Sequence, residues 1–171
     1  MSEALDGWSE FNVAMVGATA ALAGLLIVAM SVNIGEIMKT ATLPSRAAAA
    51  IATLVVAIVT TALGLVPGQP YSLYGAAVLA ATLVACVLEV HAMRTIIGES
   101  GTSAGARLAK SAVGLLPLAA FLTGGIVLIV GGAGGGVALV GAGLAFIAAG
   151  SVLAVATAIL YAWIVLVEVL R

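Results

Sequence analysis

Residues 111–167 read SAVGLLPLAAFLTGGIVLIVGGAGGGVALVGAGLAFIAAGSVLAVATAILYAWIVLV, 57 positions without a charged side chain. A helix crossing a bilayer uses about 20 apolar residues at ~1.5 Å each. The run is therefore too long for one crossing and suited to two with a break between them. The break is Gly131-Gly132-Ala133-Gly134-Gly135-Gly136, five glycines in six positions, where a helix is locally weakest. Working outward, residues 47–88 form a second charge-free run of 42, interrupted by Pro67-Gly68-Gln69-Pro70. Its two prolines lack amide donors, and the tetrapeptide has turn chemistry. Residues 11–35, a run of 25, hold one more crossing. The expectation is an all-α, polytopic membrane protein of five transmembrane helices, at about 11–37, 46–66, 72–94, 107–131 and 137–169. Together they make a single transmembrane helical domain spanning 1–171. The last helix, at 33 residues, would extend ~50 Å and must tilt, protrude or bend. Gly141, Gly143 and Gly150 mark where it would bend.

Composition agrees. Of 171 residues, 64% are apolar, 21 more are glycine and only 8% are charged, against roughly 25% in a soluble domain. Mean hydropathy is +1.32. These values exclude a soluble enzyme, a disordered chain and a nucleic-acid-binding domain, which needs a basic stripe. A lone cysteine, Cys86, excludes a disulfide scaffold. No ten-residue alternating segments point to a membrane barrel.

With five spans the six cations sort onto one side. Lys39 and Arg46 lie between helices 1 and 2, Arg94, Arg107 and Lys110 at or between the ends of helices 3 and 4, and Arg171 at the end of the sequence. The other side carries Glu3, Asp6, Glu10 and the two turns, with no Lys or Arg. Cytoplasmic loops retain cations, so the expected orientation is N-terminus outside and C-terminus cytoplasmic. The opening segment has no cation before its apolar run, so helix 1 is expected to be retained rather than cleaved as a signal peptide. Trp8, Phe11, Tyr71 and Tyr74 fall near the outer boundary and Tyr161 and Trp163 near the inner one, as amphipathic rings prefer.

Association in lipid relies on close backbone approach, since the surrounding tails are as apolar as the helices. Gly17, Ala21 and Gly24 share one face of helix 1, and Gly143 and Gly150 share one face of helix 5. Either surface could pack within the protomer or against a second copy. The GxxxG spacings at Gly131/Gly135 and Gly132/Gly136 are better read as the turn. Pro117 is expected to kink helix 4.

Ionisable residues inside a membrane are the default functional candidates. Glu89 lies about 7.5 Å inside the cytoplasmic end of helix 3, measured from Arg94. It must snorkel, protonate or pair with a cation such as Arg46, Arg107 or Lys110. The functional reading is a proton or cation site; the plainer one is an ion pair at the inner boundary. Glu168 is shallower. Asn33 and Glu36, at the inner end of helix 1, could contact neighbouring helices or simply end a helix. His91, with Cys86 and Glu89, suggests a metal site, but Glu89 and His91 point about 200° apart on a helix, so no metal or cofactor is expected. The segment Gly98-Glu99-Ser100-Gly101-Thr102-Ser103-Ala104-Gly105 lacks the ending of a phosphate-binding loop and reads as a linker. Thr19, Thr53, Thr60, Thr82, Thr123, Ser151 and Thr157 are scattered over the helices without forming a conducting stripe.

Three stretches carry a resemblance. They are Val16 through Ile34 (VGATAALAGLLIVAMSVNI), Leu43-Pro44-Ser45-Arg46-Ala47, and Leu63-Gly64-Leu65-Val66-Pro67-Gly68-Gln69. Over roughly residues 11–70 the chain resembles a family of small bacterial multi-helix membrane proteins with no assigned activity. The resemblance implies a bacterial cytoplasmic (inner) membrane location and carries over no catalytic or ligand residue.

The functional expectation is a non-enzymatic protein acting through lateral helix contacts. It would serve as a homo-oligomeric scaffold or as an accessory subunit of a larger membrane complex. Its partners would be the lipid bilayer and itself or another membrane protein, with no nucleic acid. The alternative is a small oligomeric channel or solute transporter with an inner vestibule near Glu89, Asn33 and Glu36. Orientation is directly testable with a membrane-impermeant maleimide on intact cells. In a Cys86→Ala background, Ser2→Cys, Gln69→Cys and Gly134→Cys should label and Ser103→Cys should not; the reverse pattern overturns the topology.

Overall fold

The computed structural model describes residues 3–39, 42–97 and 104–169. It contains five long helices: α1 (Ser9–Val32), α2 (Thr42–Leu63), α3 (Tyr71–Ile97), α4 (Ala104–Val130) and α5 (Val137–Val169). Each holds a segment long and apolar enough to cross a membrane. Short helical turns at Glu3–Asp6 and Ile34–Ile37 flank α1. No strand occurs among the described residues. The expected linker at 98–103 lies outside the described residues, whereas Ala104 and Gly105 already belong to α4.

The helix ends differ from expectation for local reasons. The first helix, expected to reach 37, stops at Val32 because Asn33 leaves helical geometry at φ −107° and ψ 17°. Ser31 and Asn33 turn their side chains back onto the carbonyls of Ile27 and Ala29, at 2.8 and 2.9 Å. Short polar side chains compete in this way with the backbone ladder. The second helix begins at Thr42 rather than 46. Pro44 falls in its first turn, where a missing amide costs nothing. It ends at Leu63 rather than 66, and the Gln69 side-chain amide donates to the freed Leu63 carbonyl.

The glycine run forms a π-helical turn, Gly131–Gly135, continuing α4. Gly134 (φ +115°) and Gly136 (φ +90°) then reverse the chain in conformations that side chains with a Cβ rarely adopt. The last helix is not broken at Gly141, Gly143 or Gly150: α5 is continuous from Val137 to Val169. The helix α4 continues through Pro117, whose ring is fully buried.

In the packing order α4 lies against α3 and α5, and α2 against α3 and α5, which closes a four-helix bundle. The helix α1 sits outside it, mainly on α2 with a lesser contact to α5. The bundle axis is filled by Val78, Leu118, Phe121, Leu128, Leu144 and Ile147. A second, smaller cluster joins Ala23 and Leu26 of α1 to Leu54 and Ala158. Large apolar side chains are exposed on the outer faces of all five helices, among them Leu25, Val55, Val87, Leu116 and Val152. Such exposure suits a hydrocarbon solvent and not water.

Glycines set the distance between helices. A Cβ at Gly75 would stand 2.6 Å from the Gly125 carbonyl oxygen, so α3 and α4 meet backbone to backbone. Gly124 and Gly143 do the same for α4 and α5, and Gly150 lies against the Phe121 ring. Buried hydroxyls are settled within their own helices: Thr19, Thr53, Thr61, Thr82 and Ser151 each donate to the carbonyl four residues back. Tyr74 is buried, and its hydroxyl donates to the Thr60 carbonyl at 2.9 Å, which ties α3 to α2.

These contacts separate two kinds of glycine. Gly75→Ala should destabilise the protein by ~1–3 kcal/mol from overpacking, reduced by the ~1 kcal/mol that alanine gains in a helix. Gly17→Ala, with open space around it, should leave thermal stability in detergent unchanged or raised. Equal losses in the two variants would refute this division.

Candidate functional site

One end of the bundle collects polar side chains from separate helices. Arg46 stands in the second turn of α2, Glu89 two turns before the end of α3, Gly114 early in α4 and Tyr161 near the end of α5. Each falls inside its helix's membrane-crossing segment and close to that segment's end. The site therefore lies near one end of the bundle rather than at its middle.

Burial here is nearly complete. Arg46 is 6% exposed and Glu89 4%. The guanidinium carbon of Arg46 lies 5.6 Å from the centroid of the Tyr161 ring, a cation–π geometry that gains strength away from water. That contact accounts for the burial of Tyr161. The Glu89 carboxyl occupies a notch left by Gly114: a Cβ there would overlap Glu89 Oε1 and stand 2.9 Å from the Tyr161 hydroxyl.

Arg46 and Glu89 interact electrostatically. Even so, the ion pair found within 4 Å among the described residues is Lys39–Glu36, an exposed contact at 2.7 Å. The Nε and Nη2 atoms of Arg46 are buried and have no hydrogen-bond partner among the described residues. These two nitrogens share one edge of the guanidinium, the edge whose parallel N–H bonds fit the two oxygens of a carboxylate. An unsatisfied buried donor costs ~1–3 kcal/mol, and more when charged. The arrangement is poised, not relaxed.

The other sequence candidates are not gathered here. Glu36 is exposed and bound to Lys39, and Asn33 bonds to the Ala29 carbonyl. Both side chains serve the end of α1. His91 is exposed while Glu89 is buried, so the two face apart as helical geometry requires. Cys86 and His91 line a shallow outer groove with Leu83, Val87, Val90 and Arg94, all from α3 alone. No group of three His, Cys, Asp or Glu residues placed to hold a metal ion occurs among the described residues. The side chains of Arg107, Lys110 and Glu168 lie outside the described residues.

The glycine faces divide. Gly143 and Gly150 are inside the bundle, whereas nothing lies within 4 Å of a Cβ built at Gly17 or Gly24, and Ala21 between them is exposed. Gly114 and Tyr161 are site residues that sequence reasoning missed. Gly114 leaves a gap in a run of larger residues, but only a folded bundle shows which neighbour fills it.

No family model, curated protein or solved structure matches the chain. Fold and site thus define a class: a helical chain with five helices long and apolar enough to cross a membrane, and with a buried charged cluster near one end.

The notch gives a direct test of the site's geometry. Gly114→Ala should destabilise the protein by ~1–3 kcal/mol through the displaced Glu89 carboxyl. Glu89→Ala should remove most of that penalty, giving a coupling of about 0.5–3 kcal/mol in a double-mutant cycle. Strict additivity of the two changes would place Glu89 outside the notch.

Proposed function

We propose that this chain is a bacterial inner-membrane protein that works without catalysis, through lateral contacts of α1 in the membrane plane. Its N-terminus lies outside and its C-terminus in the cytoplasm. It acts as a homo-oligomeric scaffold or as an accessory subunit of a larger membrane complex. The observation carrying this reading is the unpartnered small-residue face of α1. Gly17, Ala21 and Gly24 recur at i, i+4 and i+7 on one side of the helix. That side has open space at both glycines. Only 17% of the α1 membrane segment is buried, against 33–56% for the other four. A helix held so lightly keeps most of its surface for another molecule. Glycines let a second backbone approach closely, the main source of helix affinity in lipid.

The buried Arg46–Glu89 cluster favours a second reading, a channel or small-solute transporter. A path along the protomer axis is opposed by Leu118, Phe121 and Leu128, which are fully buried there. Conduction would require space between protomers.

Stoichiometry in mild detergent decides between these. Under the first reading, a fixed assembly should form, Gly17→Leu with Gly24→Leu should dissociate it, and liposomes holding it should pass no solute. A monomer with no co-purifying partner would overturn that reading. Flux through rings, lost in Glu89→Gln, would establish the second.

A further inference from the structure

We propose that Glu89 is a proton-binding site with two positions, the Gly114 notch when protonated and the open edge of Arg46 when ionised. The proposal does not depend on lateral association through α1. It rests on three observations around one side chain. The Arg46 edge formed by Nε and Nη2 is buried and, among the described residues, unfilled. The carboxyl group that would fit it is buried in the same cluster, yet not within ion-pair distance among the described residues. That carboxyl instead sits in the gap at Gly114 beside the Tyr161 hydroxyl.

An ionised carboxylate in so dry a place would be drawn onto the guanidinium, because attraction between opposite charges grows as water is excluded. A neutral carboxylic acid has no such pull and can rest against a phenol hydroxyl, which serves as donor or acceptor. The observed separation is the one expected of the protonated acid. An occupant from outside would have to part the bundle to reach Nε and Nη2, both closed to solvent. Glu89 need only turn about its own side-chain torsions. The step balances simply: one proton leaves the carboxyl for water, and the resulting anion pairs with Arg46.

The helices that form the cluster carry other ionisable residues along their length. On α3 itself Cys86 is half-buried, and His91 and Arg94 are exposed. The helix α2 contributes Arg46 alone, and α5 contributes Tyr161, with Glu168 two turns further on. On α4, Lys110 and Arg107 precede Gly114 by one and two turns. These last two cations are the alternative partners for an ionised Glu89, so the test includes them.

The experiment is infrared difference spectroscopy of the full chain in lipid nanodiscs, titrated from about pH 5 to about pH 9. Near neutrality the wild type should show the C=O stretch of a protonated carboxyl in a dry environment, and Glu89→Gln should lack it. Gly114→Ala closes the notch and should abolish the band at neutral pH while Glu89 remains. Arg46→Gln removes the open edge and should move the band's midpoint upward by about 1–3 pH units. Circular dichroism of each variant confirms that the helices persist. The proposal is overturned if the wild-type band is absent or survives in Glu89→Gln. It is equally overturned if Lys110→Ala or Arg107→Ala moves the midpoint as far as Arg46→Gln does.

Discussion

A polypeptide in hydrocarbon must satisfy its backbone within each segment, and once it has done so there is little left to hold the segments together. Everything distinctive in this bundle answers that constraint. The contacts between α3 and α4 and between α4 and α5 are made where glycine brings one backbone against another, at Gly75 with Gly125 and at Gly124 with Gly143. Hydroxyl groups, which might have joined helices, are instead returned to their own carbonyls at Thr53, Thr61, Thr82 and Ser151. Shape holds the bundle, and hydrogen bonds hold each helix.

Against that background the exceptions are informative. The Tyr74 hydroxyl bridges to α2, and the Gln69 amide closes the end of the same helix. The short connection between α2 and α3 is thereby tied at two points on one side of the protein. At the opposite end the tie is a charge cluster, Arg46 over Tyr161 with Glu89 in the Gly114 notch. One end is closed by satisfied hydrogen bonds; the other retains an unsatisfied guanidinium edge. The asymmetry leaves the unpaired charge at the end opposite the α2–α3 connection.

The five helices long and apolar enough to cross a membrane, and both tight turns, were legible in the sequence because charge is excluded from hydrocarbon, so charge-free length measures candidate spans directly. Helix ends were less so. The break at Asn33 and the early start at Thr42 depend on side-chain capping and on tolerance of Pro44, which hydropathy does not register. Glu89 stood out as an acid within a span, but its neighbours did not. Arg46 reads from sequence as a loop cation, and its burial follows only from the early start of α2 and the Tyr161 ring above it. The face at Gly17 and Gly24 and the face at Gly143 and Gly150 look alike in sequence. Only the bundle's closure separates an outward surface from an inward one.

The length of α5 has a further consequence. Its membrane-crossing segment has 27 residues, about 40 Å, whereas that of α2 has 21, about 32 Å. Packing against both α2 and α4 limits how far α5 can lean to shorten itself. In a bilayer the protein would therefore be taller in hydrophobic height along one flank than along another, and surrounding lipids would have to stretch to match it. Stretching costs fractions of a kcal/mol per Å of mismatch, and two molecules side by side share part of the stretched annulus and so reduce the deformed area. A bilayer would thus supply a sideways attraction that acts before any side chains touch.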